Sequence, residues 1–310
     1  LLAGIPATLF YNICAGVLYA CGNSRIPLLA LFMSAILNVL LSAWLILALK
    51  MQVDGAAAGT ILAQLLAGGF SCVSAVRAIP RCSGILHNVQ KLNPRLLGEL
   101  GANGLSMGLQ TAVTGIGLLV MQSAINMLGT AAVAAVTAAG RVESFFLCVY
   151  DSLGSAMATF AAQNIGAKKP ERIRAGVRTC LEAGAAYYAI MMVMICLLGS
   201  RMLVLFLPEA DDATMVMGIQ YLRITAAFGI CVAVLNTLRF TLQGAGFARV
   251  VIGAGILEMA ARLLVAFAAR EKWGFIGACF GHPAAWTAAA LFVLNVYIRA
   301  AKAGFRMRNN

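Results

Sequence analysis

Gly22-Asn23-Ser24-Arg25-Ile26-Pro27 ends one apolar run and opens another, and a matching interruption stands at Gly246-Phe247-Ala248-Arg249. After each comes an apolar stretch and then a Gly-Ala-x-x-Gly step, Gly55-Ala56-Ala57-Ala58-Gly59 in one case and Gly277-Ala278-Cys279-Phe280-Gly281 in the other. Arg25 recurs as Arg249 after 224 residues, and Gly55 recurs as Gly277 after 222. Two signatures at nearly one offset read as a long internal repeat. Repeated halves inside membrane-grade apolar sequence are how many carriers build access from two sides.

The composition sets the solvent. Hydrophobic residues make up 62% of the chain and charged residues 11%, against roughly 25% charged in a water-soluble domain. The mean hydropathy is +0.90. Windows long enough to cross a bilayer, about 20 residues each, fall near 1–21, 26–49, 55–76, 97–127, 131–165, 175–206, 214–243, 250–269 and 275–298. Runs of strand length with period-two alternation are missing, which argues against an outer-membrane barrel. The expectation is an all-α integral membrane protein with about nine transmembrane helices, since only helices or closed barrels satisfy the backbone in lipid.

The basic residues orient these spans. With loops assigned alternately to two sides, one side collects Arg25, Arg77, Arg81, Lys91, Arg95, Lys168, Lys169, Arg172, Arg174, Arg178, Arg249, Arg299, Lys302, Arg306 and Arg308, fifteen of the 23 Lys and Arg. The other side holds Lys50, Arg201, Arg270 and Lys272 with the acidic turn Glu209, Asp211, Asp212. The rich side is read as cytoplasmic. Charge scattered over short loops is not a nucleic-acid surface.

Residues 80–95 form the longest polar segment and read as a cytoplasmic linker between 1–79, with three helices, and 96–310, with six. Equal repeats then place a further three helices before Leu1, and the intact protein is expected to have two six-helix lobes. On this reading the 310 residues alone do not transport. Both halves present the same side at matching positions, so they are parallel repeats.

Several of these signatures together resemble the multidrug and toxic compound extrusion (MATE) family. The residues carrying the resemblance are Gly22-Asn23-Ser24-Arg25-Ile26-Pro27 with Asn38, Gly55-Ala56-Ala57, Gly104-Leu105-Ser106-Met107-Gly108-Leu109-Gln110, Gln163-Asn164-Ile165-Gly166-Ala167 and Leu242-Gln243-Gly244-x-Gly246. The resemblance implies two helix bundles around a central cavity. It also implies export of small organic, often cationic, compounds in exchange for H⁺ or Na⁺ by alternating access, in a bacterial cytoplasmic (inner) membrane. No cofactor beyond the coupling ion is expected, nor any partner beyond the lipid bilayer, and the chain is expected to be monomeric. The coupling acid that many members carry on their first helix would precede Leu1. The acid that some carry on the seventh falls near Thr114, where this chain has none.

Charges inside a span usually face a cavity or a partner, because at mid-bilayer each costs about 2.5–3.5 kcal/mol or more. They are Arg141, Glu143, Asp151, Glu182, Arg223, Arg239, Glu258 and Arg262. Glu258 and Arg262 are spaced to pair along one helix. Glu143 and Asp151 lie on one span, where either carboxylate suits a cation or a proton; an ion pair with Arg141 or Arg239 is the alternative. Gln110 and Thr114 join Glu143, Asp151, Arg239, Glu258 and Arg262 as cavity candidates. Gly22, Arg25, Gln163, Asn164, Gly166, Gly246 and Arg249 are read as gate-side turns. The Gly-x-x-x-Gly steps at Gly55, Gly104 and Gly277 are read as sites of close helix approach.

Enzymatic readings find no footing in these residues. A phosphate loop, a Gly-x-Ser-x-Gly elbow and a His-Glu-x-x-His motif are all missing. His87 and His282 have no metal-ligand spacing. A lipid-linked oligosaccharide flippase of related fold is the alternative function. It calls for a strongly cationic cavity, whereas the arginines within spans here are each near possible acids.

Overall fold

The computed structural model describes residues 2–82, 94–208, 210–269 and 273–305. Most of the predicted 80–95 linker lies outside the described residues, as do His87, Lys91, Glu209, Arg270, Lys272, Arg306 and Arg308. Eleven α-helices follow a single 3-10 turn among the described residues: α1 (Ile5–Ala20), α2 (Arg25–Leu47), α3 (Gln52–Cys82), α4 (Pro94–Asn126), α5 (Thr130–Gly166), α6 (Pro170–Val204), α7 (Asp212–Ala227), α8 (Gly229–Gly244), α9 (Ala248–Ala268), α10 (Gly274–Cys279) and α11 (Gly281–Lys302). They divide into two compact units, Leu1–Asn93 and Pro94–Asn310.

Among the described residues, seven helical stretches are long and apolar enough to cross a membrane, and the bent pair α7–α8, taken as one span, makes an eighth. The sixteen-residue α1 is apolar but shorter. Leu28, Phe32, Phe145, Leu197, Leu264 and Leu291 are each at least 64% exposed. Such a surface would be an aggregation hazard in water and is ordinary in lipid. The buried core of the second unit is by contrast rich in small residues, among them Ala138, Ala139, Ala161 and Ala233, which let helices approach closely. The chain is a multi-pass membrane protein.

In the first unit, α3 packs along both α1 and α2. A Cβ added to Gly59 would lie 2.8 Å from the Ser42 backbone nitrogen, so this small-residue step is where α3 meets α2. Asn38 donates to the Thr60 hydroxyl at 2.9 Å across the same contact, and the Tyr11 hydroxyl donates to the Pro27 carbonyl at 3.2 Å. The break expected between the windows 26–49 and 55–76 falls before Gln52. Helix α3 starts at Gln52, and the non-helical residues precede it, with Lys50 at φ 54.

The repeated turns share one geometry. At the end of α1, Gly22 N donates to Tyr19 O and Asn23 N to Leu18 O; at the end of α8, Gly246 N donates to Gln243 O and Phe247 N to Leu242 O. Gly22 has φ 77 and Gly246 φ 90, the left-handed C′ position of a Schellman ending that glycine takes without Cβ strain. Helix α5 ends with the same bonds, Lys168 N to Ile165 O and Lys169 N to Asn164 O. There the left-handed residue is Lys168, with φ 56, while Gly166 is the last residue of the helix itself.

The second unit is organised on the 37-residue α5, against which α6, α7 and α8 pack. Helix α9 lies between α4 and α11. Asp211 caps α7 by accepting from the Thr214 backbone N–H at 3.3 Å, and hydrogen bonding from Thr214 holds its carboxyl below the usual carboxylate range. The span expected as one helix over 214–243 is bent by 47° at Phe228. The Tyr188 hydroxyl donates to Ala227 O at 3.0 Å, satisfying a carbonyl at the break. A second break, between α10 and α11, falls at Phe280. The two break residues face each other, with ring centroids 6.2 Å apart at 81°. At one end of this unit Arg174 donates to the Ala301 carbonyl, joining the basic start of α6 to the basic last turn of α11, where a cation suits the helix dipole.

Candidate functional site

Polar side chains on α4, α5, α8, α9 and α11 converge on one cavity of about 630 Å³ in the second unit. Helical spacing puts them there. Gln110, Thr114 and Leu118 repeat every four residues on α4, and Asn236, Arg239, Phe240 and Gln243 share one face of α8. Asp151 comes from α5, Glu258 and Arg262 from α9, and His282 and Trp286 from the first turns of α11. Close backbone contact fixes the register of the walls. A Cβ on Gly255 would lie 3.2 Å from the Gln110 carbonyl, and one on Gly244 only 2.1 Å from the Ala158 carbonyl.

A continuous chain of hydrogen bonds runs across the cavity wall. Asn236 Nδ2 donates to Asp151 Oδ1 at 2.7 Å. Arg239 Nη2 donates to Asn236 Oδ1 at 2.8 Å, and its Nη1 donates to Glu258 Oε1 at 3.3 Å. Arg262 reaches the other oxygen of Glu258 from Nη1 and Nη2, at 3.3 and 3.4 Å. Three helices are thereby tied through one amide and one carboxylate. Glu258 and Arg262 are buried at 3% and 2% exposure, while Asp151 is exposed at the cavity. Carboxylates and guanidiniums are present in equal number, so the charges balance where an isolated charge would be expensive. Arg239 also lies over the ring of Phe240, 5.3 Å from its centroid, and Gln110 Nε2 donates to the Thr114 hydroxyl at 3.3 Å.

The structure gathers Gln110, Thr114, Asp151, Arg239, Glu258 and Arg262 around this cavity and leaves Glu143 apart. Glu143 sits eight residues before Asp151, about 12 Å along the helix axis. It is buried and lines a tight pocket with Thr225, Met191 and Trp286. Its Oε1 takes no hydrogen bond among the described atoms. Arg239 pairs with Glu258 rather than with Glu143. Glu182 pairs with Arg178 at 2.9 Å on the exposed surface of α6. Gly22, Arg25, Gly246 and Arg249 sit at helix turns, and Gln163, Asn164 and Gly166 occupy the last turn of α5; none lines the cavity. Gly104 and Gly108 meet no atom within 4 Å where a Cβ would be, so the close approach expected there is made at Gly244 and Gly255 instead. Asn236, Phe240 and Trp286 were not singled out in the sequence, and His282 was weighed there only as a metal ligand. Asn236 carried a signal, lying one turn before Arg239 on the same face.

The sequence profile of the family described as MatE matches residues 106–268, which hold all of α5 to α8, most of α4 and all of α9. The chain belongs to the MatE family. The MatE chain is 28% identical over 249 residues to the protein named Probable multidrug resistance protein YpnP of Bacillus subtilis (strain 168), covering 78% of this chain and 54% of that one. It is 23% identical over 309 residues to Probable multidrug resistance protein YoeA of the same organism, covering 96% and 66%. The chain thus spans between about half and two thirds of the length of these relatives. Among solved structures, the Vibrio cholerae MATE transporter VcmN in its bent form superposes with a TM-score of 0.84 at 17% identity, over 98% of this chain and 68% of that one. The likeness establishes a MATE transporter fold for this MatE chain.

Proposed function

We propose that the protein is a secondary active antiporter that exports small organic compounds, often cationic, in exchange for H⁺ or Na⁺. It resides in a bacterial cytoplasmic membrane and works as a monomer by alternating access of two lobes, as part of a longer two-lobe protein. The observation that carries this reading is the chain of polar groups from Asp151 to Arg262, lining a cavity inside an apolar bundle. Intramembrane ionisable groups around a cavity mark solute and ion routes. The names of YpnP and YoeA, multidrug resistance proteins, support drug-type cargo. Asp151 and Glu143 are the carboxylates available to the coupling ion. Glu143, buried with one unpartnered oxygen, suits a proton better than a hydrated metal cation. The ion gradient would then act through the differential affinity of the two conformations for ion and cargo.

The cavity's two guanidiniums, Arg239 and Arg262, are matched by two carboxylates, Asp151 and Glu258, which favours the antiporter over a flippase, since a pyrophosphate calls for a strongly cationic cavity. Everted membrane vesicles carrying the intact two-lobe protein that contains this chain test the proposal. Uptake of a fluorescent organic cation that collapses when the ion gradient is dissipated supports it; uptake that is unchanged by dissipation, or equal to that of vesicles without the protein, refutes it.

A further inference from the structure

We infer that the cavity selects amphoteric solutes, molecules that carry a protonated amine and, a few ångströms away, a carboxylate or comparable anionic acceptor. The inference rests on the transport reading and specifies its cargo.

Burial decides which charges a ligand can reach. Glu258 and Arg262 have side chains only 4% and 3% exposed and are committed to each other. Arg239 is 15% exposed, and Asp151 is exposed on the cavity wall. These two are the charges presented to cargo. Asp151 Oδ1 accepts from Asn236, Oδ2 takes no described bond, and no described cationic side chain pairs with it. Arg239 spends one hydrogen on Glu258 and one on Asn236; a guanidinium has five.

Asn236 keeps the two charges apart. It is buried at 4% exposure, and its amide is oriented at both ends, with the NH₂ toward Asp151 and the oxygen toward Arg239. A carboxylate and a guanidinium are thus held one amide apart and prevented from neutralising each other directly. A lone organic cation would gain Asp151 but meet the field of Arg239. A lone anion would meet the reverse. A solute with both groups satisfies both, and discrimination then comes from repulsion as much as from attraction. Phe240 and Trp286 give the wall flat apolar faces for a ring between the two groups, and about 630 Å³ suits a drug-sized molecule.

The test uses a matched fluorescent series with the purified protein in nanodiscs. The series is a naphthyl scaffold carrying an alkylamine and a carboxylate, its methyl ester (cation only), its N-acetyl derivative (anion only) and the doubly blocked form. The amphoteric member is expected to bind about 10-fold or more tighter than either singly blocked member. Asp151→Asn is expected to abolish its advantage over the N-acetyl derivative, and Arg239→Gln its advantage over the ester. Arg239→Gln leaves the buried Glu258–Arg262 pair one to one, so the variant is expected to fold, and its monodispersity is checked; if it does not fold, the Asp151→Asn series decides. Equal or tighter binding of the ester overturns the amphoteric assignment and leaves the transporter reading standing. No binding by any member overturns both.

Discussion

Arg239 and Glu258 meet at 3.3 Å between α8 and α9, and Arg262 holds the opposite oxygen of the same carboxylate. One buried acid therefore serves two cations. Removing a single partner from such a cluster leaves uncompensated charge, which is worse than never having had the pair. Glu258→Gln is expected to destabilise the protein by about 3–5 kcal/mol. Replacing Glu258 and Arg262 together with leucines should cost markedly less, since Arg239, the remaining cation, is partly exposed. Thermal unfolding followed by thiol-reactive dye in detergent checks both. Equal losses would show that the cluster is not energetically coupled.

The packing of α8 on α5 is tightest at Gly244, where an added Cβ would lie 2.1 Å from the Ala158 carbonyl. Gly244→Ala should therefore cost about 1–3 kcal/mol or displace the helix. Gly108→Ala, with nothing within 4 Å, should be neutral or stabilising by about 0.5–1 kcal/mol. The same unfolding assay separates them, and a loss at position 108 as large as that at 244 would refute the assignment of the close contact.

Lys168 occupies a left-handed backbone position that Gly22 and Gly246 fill at equivalent helix ends. Lys168→Gly is expected to stabilise by about 1 kcal/mol, and Gly246→Ala to destabilise by about 1–2 kcal/mol. Opposite signs in paired melting curves are the expected result.

The bend at Phe228 leaves the Ala227 carbonyl to the Tyr188 hydroxyl at 3.0 Å. Tyr188→Phe should cost about 1 kcal/mol and raise amide hydrogen exchange locally around residues 225–231. Unchanged exchange there would mean that the bend is held by packing alone.

The spans were legible because lipid demands long apolar helices, and the repeat was legible because glycine marks its turns. The bend was not, although Gly229 stood inside the predicted span. A single glycine in a membrane helix is common, and what fixes the break is Tyr188, forty residues away on another helix. Glu258 and Arg262 were readable as a pair from their spacing, whereas the capture of Arg239 by Glu258 depends on how α8 and α9 pack. Asn236 looked like one polar residue among several until α5 placed Asp151 against it. Lys168 follows a helix end in a left-handed conformation that its residue type disfavours, so nothing in the residue marked it.

The central claim is that cargo passes through the cavity at Asp151. Asp151→Asn keeps a side chain of the same shape, with an oxygen that still accepts from Asn236, and removes only the charge. Efflux of a fluorescent amine-bearing substrate from cells with equal membrane amounts of the two proteins is the direct measurement. The account predicts that efflux falls at least about 10-fold while the melting temperature is preserved. Undiminished efflux by the asparagine variant would contradict it.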